Sequence, residues 1–280
     1  MADAILGMEL NEQFGADLQA QIALLRQAGF SAFFVYWKRG MDLKALRRQA
    51  DAQGMIFQSV HAPQFRVTEL WYPTENTPDV LEELLECLRE SAAIGVPIVV
   101  VHALCGFGMH TPTTQGLKNY EVLVREAERL GIKIAFENAE GEEYLAALLE
   151  HFAASPNVGF CWDSGHECCY NRMDLLARHG DRLIATHLND NMGHTGPDEQ
   201  QLHWQDDLHL LPFDGVIDWQ EVAGRLNRCG YDGILTFELK TASPPGHHEN
   251  DAYRQMPLAD YLAEACRRAR RVAQLIEKAK

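Results

Sequence analysis

Six residues of chemically useful type recur in one kind of place. His61, His102, Glu137, Asp163, His187 and Glu238 each stand at the end of a short apolar run. The runs are Met55–Val60, Pro97–Val101, Ile132–Phe136, Val158–Trp162, Leu183–Thr186 and Gly233–Phe237. Each run has the length and composition of a buried strand. If these strand ends converge, three imidazoles and three carboxylates share one cavity. Withdrawing such groups from water is costly, and like charges held close repel. A divalent cation resolves the conflict. Imidazole with carboxylate suits zinc, manganese or iron better than calcium or magnesium.

The elements that must position these residues alternate along the whole chain. Two further runs, Ala4–Met8 and Ser31–Trp37, precede the six. Between the runs lie amphipathic segments: Ala16–Ala28, Leu43–Gln53, Pro78–Ile94, Leu117–Leu130, Glu142–Phe152, Trp219–Arg228 and a final Ala259–Lys278. Gly29, Gly54 and Gly131 close three of them, as helix ends require. Eight strands, each followed by a helix or a helix-bearing segment, need a parallel sheet covered on its outer face. The expected fold is α/β, a single (β/α)₈ TIM barrel spanning residues 1–280, with its site at the carboxyl rim of the strands. A doubly wound open sheet is the structural rival. It calls for a Gly-rich turn after the first strand, where this chain reads Glu9-Leu-Asn-Glu-Gln-Phe-Gly.

Bulk properties narrow the function. With 280 residues, 40 acidic against 25 basic, the chain carries a formal charge of −15. That weighs against nucleic acid and against anionic membranes. The long stretch Leu188–Val216 holds five Asp and one Glu but no Lys or Arg. Seven scattered cysteines without a CxxC pair read as reduced thiols. No secretory leader and no membrane span is expected, which points to the cytoplasm.

Other residues could join the cage from the rim loops. His166 follows Asp163 in Trp-Asp-Ser-Gly-His. Asp207 and His209 form a D-x-H pair, which an extended segment would turn to one side. Tyr36, Trp37, Trp71 and Tyr72 could supply apolar walls for a ligand, and Lys240 could meet a carboxylate or phosphate.

Taken together, Phe136-Glu137-Asn138, Trp162-Asp163-Ser-Gly-His166, His187-Leu-Asn-Asp190, Asp207-Leu-His209-Leu-Leu-Pro212 and Phe237-Glu238 resemble the xylose isomerase-like TIM-barrel superfamily over the whole chain. The resemblance implies a metal-dependent isomerase or epimerase acting on a sugar or related polyol. In its ketose epimerases one divalent ion, zinc or manganese here, would be held by Glu137, Asp163, His187 and Glu238. Glu137 and Glu238 would also move protons through a metal-stabilised enediolate. His166 would touch substrate. Homo-oligomers are common in the family. Endonuclease IV-type members resemble the chain too. Their three-zinc set falls on His61, His102, Glu137, Asp163, His166, His187, Asp207, His209 and Glu238, and would imply phosphodiester cleavage at abasic DNA. The acidic rim favours the sugar reading. Two departures from the epimerase pattern concern the substrate: Pro212-Phe213-Asp214-Gly215 replaces a Pro-Gly-x-Gly turn, and Gly193 with His194 stands where an Arg is usual.

Overall fold

The computed structural model describes residues 4–194 and 202–279. Eight strands form one parallel sheet: β1 Leu6–Leu10, β2 Ala32–Tyr36, β3 Ile56–His61, β4 Ile98–His102, β5 Lys133–Glu137, β6 Val158–Asp163, β7 Leu183–His187 and β8 Leu235–Phe237. Neighbours along the chain are neighbours in the sheet, and β1 also pairs with β8. The circle closes between β7 and β8 through few main-chain bonds. Leu188 N donates to Thr236 O (2.8 Å), and Glu238 N donates to Leu188 O (3.2 Å). A side chain takes over below them, where Thr236 N donates to Thr186 Oγ1 (3.1 Å). The chain is therefore a (β/α)₈ TIM barrel, as its alternation requires.

Helices cover the outer face: α1 Leu18–Ala28, α2 Leu43–Gln53, α3 Thr68–Trp71, α4 Thr77–Ala93, α5 Thr114–Leu130, α6 Glu142–His151, α7 Ser164–Tyr170, α8 Leu175–His179, α9 Trp219–Arg228 and α10 Leu258–Lys278. Their starts are written in the sequence. Asp17, Asp42, Asp174 and Asp218 each accept backbone N–H groups of the first turn. The main core lies between these helices and outward strand residues such as Phe33, Ile134, Phe136 and Phe160.

Strand alternation explains the site. Inside the barrel, Val100, Ala135, Cys161 and Ala185 form a small apolar layer. Two residues further along the same strands come His102, Glu137, Asp163 and His187. The period of two puts them on the same inner face, one layer nearer the carboxyl rim. The ladders fix their level, since His102 pairs with Glu137 and Asp163 with His187. Most strands lie within one residue of the expected runs, and two differ by two residues. β1 runs on to Leu10 instead of ending at Met8, and β8 is three residues long.

Candidate metal centre

The four central residues do converge. Glu137, Asp163, His187 and Glu238 each offer a donor atom within 4.8 Å of the other three, and all four are buried. His187 Nδ1 lies 2.8 Å from Glu137 Oε1 and 3.0 Å from Glu238 Oε2. Asp163 is aimed by its neighbours. Its Oδ1 accepts the N–H of His166 (2.7 Å) and its Oδ2 accepts the Asn189 amide (2.9 Å). Asn138 brackets the Asp163 main chain, accepting its N–H (2.8 Å) and donating to its carbonyl (2.9 Å). Gly165 makes room for this arrangement. A Cβ there would come within 1.8 Å of Asn189 Oδ1.

The other five residues surround these four. His61 Nε2 is 3.0 Å and His102 Nε2 3.4 Å from Glu137 Oε2. His166 Nε2 is 3.5 Å and His209 Nε2 2.7 Å from Asp207 Oδ2. Donor atoms of His61 with His187, and of His102 with His166, gather around Glu137, and those of His166, Asp207 and His209 form a further group. The D-x-H pair meets by a different route from the one expected. His209 adopts φ +46°, a left-handed conformation, where a regular extended segment was expected. In three of these rings Nδ1 faces a main-chain carbonyl: His61 that of Ala62 (2.7 Å), His166 that of Asn138 (2.9 Å) and His209 that of Glu238 (3.2 Å). A carbonyl only accepts, so each Nδ1 carries the proton and Nε2 is turned to the carboxylates. Metal-binding histidines are commonly held this way.

Electrostatics follow the geometry. Burial raises the Glu137 carboxyl, yet His187, His102 and His61 hold it well below the usual range. Glu238 is likewise lowered against burial, by His209 and His187. Asp163 is pushed up to about 6 by burial, with Glu137 and Glu238 adding to the rise. Against burial, His166 is held well above its usual range by Asp163 and Asp207. For His187, burial is opposed by Cys161 and Glu137. Cys161 is itself pushed up to about 12 by burial, so it stays a thiol, and the Glu137 carboxylate keeps His187 charged. Protonated imidazoles thus balance crowded carboxylates. Glu238 Oε2 and both ring nitrogens of His102 are buried without a hydrogen-bond partner. Such orphaned atoms in a nitrogen and oxygen cage fit a divalent transition metal.

The remaining expected residues divide. Tyr36 points inward, stacks on His61 at 4.1 Å, and donates its hydroxyl to Glu238 Oε1 (2.5 Å). Lys240 stands at the mouth with Nζ 3.8 Å from Asp207 Oδ2. Trp37 is not brought to the cavity. Adjacent to inward Tyr36, it faces outward, and its indole donates to Glu90 of α4 (2.7 Å). Trp71 is wholly buried and donates to Ala103 O, while Tyr72 bonds Tyr144. His194 and Gly193 are described, but 195–201 of the acidic loop lie outside the described residues.

Sequence reading missed three supports and one buried acid. Asn138 and Asn189 clamp Asp163. Asp190 accepts four donors, the N–H groups of Asn191, Phe213 and Ile217 and the Trp219 indole, at 2.8–3.1 Å. It pins the loop that carries Asp207 and His209. Gly215 packs so close that a Cβ would come 2.3 Å from Asp190 Oδ1. Glu9, at the end of β1, is buried and pushed up to about 7 by burial and by Glu238. Its signal was that of the other six: an acid following an apolar run.

A barrel with acids and imidazoles layered at its carboxyl rim defines a class before any comparison is made. The model of the xylose isomerase-like TIM barrel family matches residues 22–271, and the chain belongs to that family. An uncharacterized protein of Sinorhizobium fredii, y4fM, is 34% identical over 166 residues, covering 53% of this chain and 49% of its own; this chain thus spans about half the length of that relative. Among solved structures, the IolI protein with a bound zinc atom superposes with a TM-score of 0.74 at 17% identity, covering 98% of this chain and 99% of that one. An L-ribulose 3-epimerase superposes with a TM-score of 0.71 at 14% identity, covering 99% and 95%. Among the described residues no helix is long and apolar enough to cross a membrane.

Proposed function

We propose that this protein is a metal-dependent isomerase or epimerase of a sugar or related polyol. One observation carries the reading: Glu137 and Glu238 each bring a carboxylate oxygen to His187 Nδ1, at 2.8 and 3.0 Å, in one buried cage. Two carboxylates in one cage can serve proton removal and return at one carbon. The structural neighbours support it, since they include an L-ribulose 3-epimerase and a D-psicose 3-epimerase. IolI binds zinc on the same fold.

Glu137, Asp163, His187 and Glu238 would hold the ion, zinc or manganese by donor type. When bound, the cation offsets negative charge that develops on substrate oxygens as a neighbouring C–H proton leaves. The chain does the rest. Glu137 or Glu238 takes the proton and the other carboxylate returns one. The Tyr36 hydroxyl orients Glu238, and Lys240 meets a substrate oxygen at the mouth. His61, His102, His166, Asp207 and His209 grip the substrate or hold further ions.

The test is direct. Purified protein should carry at least about one equivalent of a divalent transition metal. Incubated with ketoses in D₂O, it should place deuterium at the reacting carbon. Absence of metal, or no exchange with any sugar or sugar acid, overturns the reading. Nicking of an abasic duplex that Glu238→Gln abolishes would replace it with phosphodiester cleavage.

A further inference from the structure

Glu238 is the one central residue beyond the end of its strand. β8 stops at Phe237. Past it, the main chain is held at separate points. Glu238 N donates to Leu188 O (3.2 Å), and Glu238 O accepts from His209 Nδ1 (3.2 Å). The next amide, Leu239 N, has a side-chain acceptor: Glu9 Oε1, at 3.1 Å.

Glu9 is itself fixed. It pairs in register with Phe34, whose ring stacks on His187 at 4.4 Å, so both face the barrel interior. Asn11 Nδ2 donates to the same Oε1 (3.2 Å). Behind Asn11, buried Gln21 of α1 accepts the Asn11 N–H (3.0 Å) and donates to the Asn11 carbonyl (2.8 Å). The chain runs from helix α1 through Asn11 and Glu9 to the peptide joining Glu238 and Leu239.

We propose that Glu9 is the positioning residue for Glu238: its carboxylate takes over where the β1–β8 pairing ends at Phe237 and sets the carboxylate of Glu238 against the cage. The inference rests on the reading of Glu238 as a ligand and proton carrier. An acceptor oxygen, and not a negative charge, is what the Leu239 amide needs. Glutamine can supply that oxygen and alanine cannot.

Three variants test this. Glu9→Ala should weaken zinc binding, measured by chelator competition, by ~10–100-fold. It should lower the rate of deuterium exchange while leaving KM within about twofold, because positioning of a proton carrier acts on turnover. Glu9→Gln should stay within about threefold of the parent in both measurements, since the acceptor survives. Amide hydrogen exchange at Leu239 in metal-stripped protein should accelerate in Glu9→Ala and not in Glu9→Gln. That last readout needs neither metal nor substrate, so a failure of the sugar reading leaves it decisive. If Glu9→Ala does not fold, Glu9→Asp, one methylene too short, carries the same expectation. Unchanged Leu239 protection in the alanine or aspartate variant overturns the proposal. Damage by Gln equal to that by Ala overturns it as well, because charge would then be the working property.

Discussion

Glu137 sits inside a ladder, paired with His102 on one side and Cys161 on the other. Glu238 lies past the end of a three-residue strand and is held by side chains: Glu9 behind the next peptide, Tyr36 on Oε1, His209 on its carbonyl. Two carboxylates of the same type thus reach the same cavity by different means. On the β4–β6 wall Glu137 is placed by regular main-chain pairing, and Asp163 by pairing with the Asn138 and Asn189 contacts added. The β7–β8–β1 seam places its acid by a set of polar contacts. Regular pairing is indifferent to most side chains, whereas the seam depends on particular residues. Apart from the Asn138–Asn189 clamp on Asp163, mutational sensitivity outside the cage should therefore concentrate at the seam.

The largest expected effect is on the ladder side. Glu137→Gln removes the carboxylate shared by His61, His102 and His187, and exchange should fall by ~10³-fold with loss of bound metal. Glu238→Gln should abolish exchange to a similar degree but retain metal more weakly. Tighter metal retention in Glu137→Gln than in Glu238→Gln would invert the comparison.

Next comes the clamp that pins the seam loop. Asp190→Ala leaves four donors without their acceptor, three of them main-chain N–H groups. Thermal or denaturant unfolding should show a loss of at least about 3 kcal/mol. A loss below about 1 kcal/mol would show that the loop does not depend on this residue.

A pH experiment sharpens the comparison on both walls at once. His166 and His187 lie above their ordinary 6.5. Their stabilisation is full below 6.5 and is lost as pH rises through the raised values. Asp163, moved from 3.8 to about 6, and Glu9, from 4.5 to about 7, act in the same sense over those ranges. Glu137 and Asp207 are depressed and lose their contribution only as pH falls through their lowered values. Metal-stripped protein should therefore lose Tm on going from about pH 6 to about pH 9, while a bound cation replaces the departing protons. The Tm gain on adding zinc should be larger at the higher pH. An equal gain at both would contradict the charge pattern.

The smallest effect is a control. Trp37→Phe, outside the cavity, should leave KM within about twofold and cost about 1 kcal/mol through the lost bond to Glu90. A raised KM would return Trp37 to the substrate wall.

How legible the site was differs between the same two regions. Strand ends such as Val-His102 and Phe-Glu137 advertise themselves, because an apolar run that stops at an acid or imidazole is a local pattern. The alternating runs gave the barrel for the same reason. Glu9 has that pattern as well, one residue past the run Ala4–Met8, but it also opens the polar turn Glu9-Leu-Asn-Glu-Gln-Phe-Gly, which hides it. Tyr36 and Trp37 were read together although a period of two sends neighbours to opposite faces. Asn138 and Asn189 stand in plain view within their motifs. Their grip on Asp163 joins residues about 25 positions apart, and only the closed barrel brings them into contact. The bend at His209 depends on a left-handed backbone that a histidine does not announce.

Three imidazoles of the cage give their Nδ1 proton to a main-chain carbonyl: that of Ala62, of Asn138 and of Glu238. Every amino acid carries that carbonyl. Substitution at position 62 or 138 therefore leaves the acceptor in place, and with it the tautomer that turns Nε2 inward. The orientation of these rings is inherited from the path of the backbone, so it should survive sequence drift that erases the surrounding motifs, for as long as the strands keep their register.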